Sequence, residues 1–159
     1  MEEEILITEM TEADCDAVTE METTYFTDSW VREDFSEGIK DENFHFLVAR
    51  RQNEVAGYAV ICFAADESEL INICVREDVR RLGIARKLLK SQYITALNEG
   101  ALSMYLEVRE SNVKARALYM SEGFKEIGVR KWYYKKPAEH AIIMVKDLKT
   151  APPGVGNEV

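Results

Sequence analysis

The chain is poor in the residues that build metal centres and cross-links. It has 2 histidines and 3 cysteines among 159 residues. His45 and His140 stand far apart and no two cysteines form a CxxC pair, so no structural metal site is expected. The odd cysteine count, with Cys62 and Cys74 inside apolar runs, predicts buried free thiols and a reducing, cytoplasmic setting. Long apolar runs are missing too. None approaches the roughly 20 residues of a membrane span, so no membrane association is expected. The start, Met1-Glu2-Glu3-Glu4, is acidic where a secretory leader is basic, so export is not expected. Positive charge is in deficit, with a formal net charge of −9. That argues against nucleic-acid binding. It suits a cationic partner drawn in by a negative field, or solubility alone. Prolines number 3, and two of them sit in the tail from Thr150. That tail, residues 150–159, is expected to be disordered.

What is present fits one soluble domain over residues 1–149, with 47% hydrophobic and 31% charged residues. Residues 5–8 read as a strand. A helical pattern starts at Thr11, with Ala13, Ala17, Val18 and Met21 on one side. A short helix is expected over 29–38, from Ser29 to Gly38. A hairpin follows, strands 44–50 and 55–64 around Gln52-Asn53. Strand 69–75 leads to a helix over 84–97, ended by Gly100. Strand 103–108, helix 115–121 and strands 129–134 and 141–147 complete the chain. This order predicts an α/β architecture: a mixed sheet with helices on both faces and a right-handed crossover between parallel strands 69–75 and 103–108. Ligands sit at the C-terminal ends of such parallel strands, here Val75 and Val108.

The segment Arg80-Arg81-Leu82-Gly83-Ile84-Ala85-Arg86 joins a strand to a helix. A helix start presents amides that lack intrahelical partners. Those amides, the helix dipole and the arginines favour a phosphate-bearing ligand. Gly83 permits the tight turn and Ala85 keeps the first helical turn small. The plainer reading is an ordinary turn with surface arginines. The segment is not a Walker A loop, having no G-K-[ST], nor a dinucleotide fingerprint, having one glycine.

A second constellation lies in residues 104–123. Glu107 alternates with Leu106 and Val108 in an apolar strand. Ser111 or Asn112 suits an N-cap. Tyr119 lies two turns beyond Asn112 on the same helix face. Taken singly, each has a plainer reading: a solvent-facing Glu107, a capping Asn112, a core Tyr119.

Together, Ile73-Cys74-Val75, Arg80-Arg-Leu-Gly-Ile-Ala85, Leu106-Glu-Val-Arg-Glu-Ser-Asn112, Ala117-Leu-Tyr119 and Glu122-Gly-Phe124 resemble the GNAT N-acetyltransferase superfamily. Within it, the LEVRxSN and ALY segments, with Tyr133-Tyr134 and Ala141-Ile-Ile-Met144, are similar to the RimI type, bacterial N-terminal acetyltransferases of a small-subunit ribosomal protein. The resemblance covers about residues 5–148 in element order and is sharpest over 70–145.

The resemblance implies a GNAT fold, a mostly antiparallel mixed sheet with one splayed parallel pair holding acetyl-CoA. It implies that the backbone of Ile73, Cys74 and Val75 pairs with the pantetheine arm. The amides of Arg81 to Arg86, in the loop from Arg80, would hold the pyrophosphate, and Asn112 would add a side-chain hydrogen bond. Glu107 would be the general base, through a water, and Tyr119 the general acid for the departing thiolate. Peptide recognition would fall to the segment around Phe26 to Arg32, with Trp30, and to the loop between the last two strands, Trp132 to Glu139, with Tyr133 and Tyr134. The RimI type usually has proline-tryptophan where this chain has Asp28-Ser29-Trp30.

The implied chemistry suits the residue types. An N-terminal α-amine has a pKa of roughly 7.7–8.0, so a carboxylate and a water can finish its deprotonation near neutrality. A lysine near 10.4 costs about 3–4 kcal/mol more to neutralise. Direct attack needs no enzyme nucleophile, so Cys74 reads as packing rather than as an acetyl-cysteine. The expected activity is acetyl transfer to a protein N-terminus, the N-terminal alanine of a ribosomal protein first, by a monomer or weak dimer. A small-molecule amine or protein lysine as acceptor, or a silent acyl-CoA-binding module, are the alternatives.

Overall fold

In the structure, a computed structural model, residues 4–150 are described. Residues 1–3, and all but Thr150 of the tail expected over 150–159, lie outside them. The elements are β1 (Ile5–Glu9), α1 (Cys15–Tyr25), α2 (Arg32–Gly38), β2 (Phe44–Arg51), β3 (Glu54–Ala64) and β4 (Glu67–Val75), then α3 (Ile84–Asn98), β5 (Ser103–Arg109), α4 (Val113–Ser121), β6 (Lys125–Lys135) and β7 (Ala138–Asp147). Short 3-10 turns stand before α1, before α3 and after β7. The seven strands follow the hydrogen-bonded order β1-β2-β3-β4-β5-β7-β6. Pairing is antiparallel for β1–β2, β2–β3, β5–β7 and β6–β7, and parallel for β4–β5. No described helix is long and apolar enough to cross a membrane.

The chain divides into two units. The first runs to Cys62 and includes Ile71–Gln92; the second holds Phe63–Leu70 and the chain from Tyr93 onward. β4 and α3 each pass from one unit to the other.

In the first unit, local chemistry sets the element ends. Asp14 accepts the Thr11 N–H at 2.9 Å, closing a capping turn ahead of α1. Gln52 and Asn53 both take left-handed φ, 54° and 66°, which the β2–β3 hairpin turn requires. Ala13 and Ala17 do not face the core as expected: they are exposed, and Cys15, Val18, Met21 and Glu22 form the inward stripe of α1. The 3-10 turn at Glu12–Asp14 shifts the helical phase. α2 starts at Arg32, not Ser29, because the Asp34 carboxylate reaches back to the Val31 N–H at 2.9 Å. Two apolar clusters fill this unit, one around Phe35, Phe46, Val48, Tyr58 and Val60, the other around Leu47, Ala56, Ala59, Val79, Ile84 and Leu88. Cys15 and Cys74 are buried free thiols, whereas Cys62 is only half-buried.

In the second unit, β5 alternates without a fault: Met104, Leu106 and Val108 are buried, while Ser103, Tyr105, Glu107 and Arg109 are half-exposed. Parallel pairing joins Glu67, Ser68 and Glu69 to Ser103, Met104 and Tyr105. β6 is an exposed edge strand and is longer than expected. Between the pairs Arg130↔Ala141 and Tyr134↔Glu139 its register shifts, so β6 bulges there.

Candidate active site

In the first unit, Ile73, Cys74 and Val75 end β4. Their side chains alternate: Cys74 enters the cluster with Tyr58, while Ile73 and Val75 join the cluster with Ile84. The backbone here is closely backed by β3. A Cβ on Gly57 would stand 2.7 Å from the Cys74 carbonyl oxygen, so only glycine fits. Burial, ahead of the charge of Glu22, pushes the Cys74 thiol up to about 11, which keeps it protonated. A buried thiol of that kind is a packing residue, not a nucleophile.

The chain then turns through Glu77–Val79, anchored by Val79, which is 1% exposed. Arg81 and Gly83 take left-handed φ of 73° and 77°. For Arg81 this conformation carries strain, a cost of about 1–3 kcal/mol that recurs at functional sites. An added Cβ on Gly83 would meet nothing within 4 Å, so a ligand has open access to that backbone. Ile84 is buried and pins the start of α3, whose first α-helical bond runs from Lys87 N–H to the Gly83 carbonyl at 3.0 Å. The amides of Ile84 and Ala85 precede that bond. Leu82 is exposed, and Ala85 and Arg86 are half-buried. Arg80 is committed within the protein. Its guanidinium lies over the Tyr25 ring, 4.9 Å from the centroid, and its Nε donates to the Val75 carbonyl at 3.1 Å. The Arg80 Nε is thus already engaged, while the backbone at Gly83 is open.

Trp30 is half-buried, with its ring 5.3 Å from Phe35 and 6.3 Å from Phe46. These contacts anchor the stretch between α1 and α2.

In the second unit, Glu107 sits on the half-exposed face of β5 with 16% of its side chain accessible. Arg130 Nε lies 3.2 Å from its Oε1, and the Tyr133 hydroxyl hydrogen-bonds to it. Glu69, on β4, also feels it: burial first, then the charge of Glu107, raises the Glu69 carboxyl. Tyr133 is raised by burial and by its bond to Glu107. Burial, followed by Glu107, pushes Tyr134 up to about 12. The Arg109 guanidinium lies over the Tyr134 ring at 4.2 Å, and the Tyr133 and Tyr134 rings meet at 5.1 Å.

Asn112 is the N-cap of α4, its Oδ1 accepting from Ala115 N–H at 3.2 Å. Only its NH₂ is left to donate outward. Tyr119, 6% exposed, packs edge-on to Phe124 at 5.8 Å. Burial, then the neighbouring Tyr134, raises its hydroxyl well above the ordinary tyrosine value. Trp132, Tyr133 and Tyr134 lie within β6, in line with the strand read over 129–134, and not in the inter-strand loop from Trp132 that the resemblance implied. Trp132, at the bulge, takes a left-handed φ of 55°, and its ring lies 4.2 Å from that of His140, tilted by 57°.

Sequence reasoning missed Glu22, Tyr25, Glu69 and Arg130. Glu22 and Tyr25 had a signal: they continue the inward stripe from Val18 at helical spacing, where a carboxylate is out of place. Glu69 and Arg130 had none, because only strand pairing brings them toward Glu107.

Residues 15–124 match the model of the acetyltransferase (GNAT) family. The chain belongs to the GNAT family. The [ribosomal protein bS18]-alanine N-acetyltransferase of Escherichia coli K12 is 34% identical over 117 residues, which cover 72% of this chain and 78% of that protein. The crystal structure of the ribosomal-protein-S18-alanine N-acetyltransferase from Escherichia coli superposes with a TM-score of 0.84 at 29% identity, covering 95% of this chain and 98% of that one. At 19% identity the PaiA N-acetyltransferase of Thermoplasma acidophilum, solved with coenzyme A, shares the fold alone, with a TM-score of 0.75 over 91% of this chain and 99% of that one. The mixed α/β GNAT fold thus accounts for the seven strands, the four helices and the one parallel pair.

Proposed function

We propose that this GNAT-family chain transfers the acetyl group of acetyl-CoA to the N-terminal α-amine of a protein, with the N-terminal alanine of ribosomal protein bS18 as its first substrate. The observation that carries this reading is Glu107, a half-buried carboxylate between Arg130 and Tyr133 on the polar face of β5. The relatives named for bS18-alanine acetylation support the substrate.

The donor-binding residues fit a CoA thioester. The backbone at Gly83 is open and the helix-start amides of Ile84 and Ala85 suit a pyrophosphate. Arg81, Leu82 and Arg86 complete that loop, the β4 end at Ile73, Cys74 and Val75 suits an extended amide-bearing arm, and Asn112 offers its NH₂. Acetyl-CoA, when bound, supplies a thioester carbonyl for the amine to attack.

The remaining chemistry belongs to the side chains. Glu107, through a water, takes the proton that the α-ammonium must lose. Tyr119, held as a phenol by its burial, keeps a proton to give to the departing thiolate. Tyr133 and Tyr134 offer ring faces and hydroxyls to the peptide backbone, and Trp30 shapes the other peptide-facing segment.

The test is acetyl transfer to peptides that differ in their first two residues, with an N-terminally blocked lysine peptide included. Transfer to alanine-first peptides is expected. Transfer to the blocked lysine peptide alone would overturn the α-amine reading.

A further inference from the structure

The last turns of α1 carry a carboxylate that the acid–base reading does not use. Glu22 is 2% exposed. Its Oε1 accepts the Tyr58 hydroxyl at 2.5 Å and the Asn72 Nδ2 at 2.7 Å. Its Oε2 accepts the Trp30 backbone N–H at 2.9 Å. The three donors come from β3, from β4 and from the stretch between α1 and α2, all within the first unit.

Stability alone does not explain such a group. A buried carboxylate pays a large desolvation cost, and an apolar side chain of similar volume is often at least as stable. What an apolar residue cannot do is hold an N–H of an irregular stretch. Glu22 does this at Trp30, whose ring is already seated on Phe35 and Phe46. The same carboxylate grips Asn72, the residue before Ile73. One turn further along α1, the Tyr25 hydroxyl accepts the Glu77 N–H at 2.9 Å, and its ring carries Arg80. The end of α1 therefore touches both the proposed peptide segment and the proposed cofactor segment.

We propose that Glu22 is a positioning residue for peptide recognition: its carboxylate fixes residues 26–31 and ties them to β4 through Asn72. The proposal rests on the peptide-acetyltransferase reading. It makes a particular demand of Glu22→Gln. The oxygen of the new amide stays with its two donors, Tyr58 and Asn72. The amide nitrogen then faces the Trp30 N–H, two donors meet, and that bond is lost.

The experiment compares the full-length wild type, Glu22→Gln and Val48→Ala. Val48 is fully buried in the same apolar cluster and its side chain has no group that could hydrogen-bond to this network, so it reports general loosening. Expected in Glu22→Gln is about tenfold faster amide hydrogen exchange at residues 26–31 and about tenfold higher KM for an alanine-first peptide. The kcat and the KM for acetyl-CoA should stay within about twofold, since neither depends on the Trp30 amide. Unchanged exchange at 26–31 overturns the proposal whatever the activity. An equal rise of peptide KM in Val48→Ala overturns it as well. A wild type that acetylates no peptide sinks the functional reading, visibly and before any variant is read, and takes this proposal with it.

Discussion

Glu22 in the first unit and Glu107 in the second are carboxylates on inward or half-inward positions, handled in opposite ways. Glu22 is sealed and takes three neutral donors. Glu107 keeps part of its surface wet and faces Arg130, itself 57% exposed, together with Tyr133 and the like charge of Glu69. The first arrangement freezes a geometry. The second leaves a partly wet carboxylate among ionisable neighbours, the setting that the proposed general base requires. The same contrast runs through the two units. The first offers backbone amides, strained turns and fixed side chains, the means of holding a ligand. The second offers ionisable groups on one strand face and one helix.

The largest effects should fall on the second unit. Glu107→Gln and Tyr119→Phe should each lower kcat by about 10²–10⁴-fold while the rise in melting temperature caused by acetyl-CoA is kept. Loss of that thermal shift in either variant would erase the contrast between a binding unit and a chemical one.

The next effect tests how firmly the first unit is fixed. Asp14 is drawn up by burial, but two Arg50 hydrogen bonds at 2.7 and 2.8 Å and the Thr11 N–H outweigh it, leaving the carboxyl below its ordinary range. A depressed carboxyl stabilises the fold above its unfolded pKa of about 3.9, and that stabilisation drains as pH falls through the lower folded value. Asp14→Asn should cost about 3 kcal/mol at neutral pH, read by denaturant titration, and should flatten the acid limb below about pH 4. An unchanged acid limb would remove Asp14 from the account.

Gly83→Ala is a smaller probe of the cofactor loop. Space is open there, so the penalty is the left-handed backbone alone, about 1–2 kcal/mol. Up to about tenfold higher KM for acetyl-CoA is expected, with kcat nearly constant. A fall in kcat with steady KM would assign the loop to chemistry.

The smallest effect appears only in alkali. The Cys74 thiol, raised to about 11 by burial, stabilises the fold fully below its unfolded pKa of about 8.5, and this fades as pH rises through the folded value. Cys74→Ala should make the melting temperature less sensitive to pH between about 9 and 11. Identical slopes for variant and wild type would show that the fold does not raise the Cys74 thiol.

What was legible in the sequence was short-range. The switch of apolar period between strands and helices gave every element in order, because backbone hydrogen bonds and one-sided burial are local demands. The Thr11–Asp14 cap, the Gln52-Asn53 turn and Gly83 all act within a few residues. Tertiary packing added what local signs lacked at Trp30, whose ring is held by Phe35 and Phe46, and at Trp132, where a bulge interrupts the register of β6.

By itself the sequence determined the mixed α/β fold and the membership of a transferase family. Only the tertiary structure decided which polar groups meet. The donors to Glu22 lie 8, 36 and 50 positions along the chain from it. Arg130 reaches Glu107 only because β7 pairs with both their strands. Periodicity tells which side of an element is inward. Which carboxylate is sealed and which stays partly wet depends on what the other strands bring to that side.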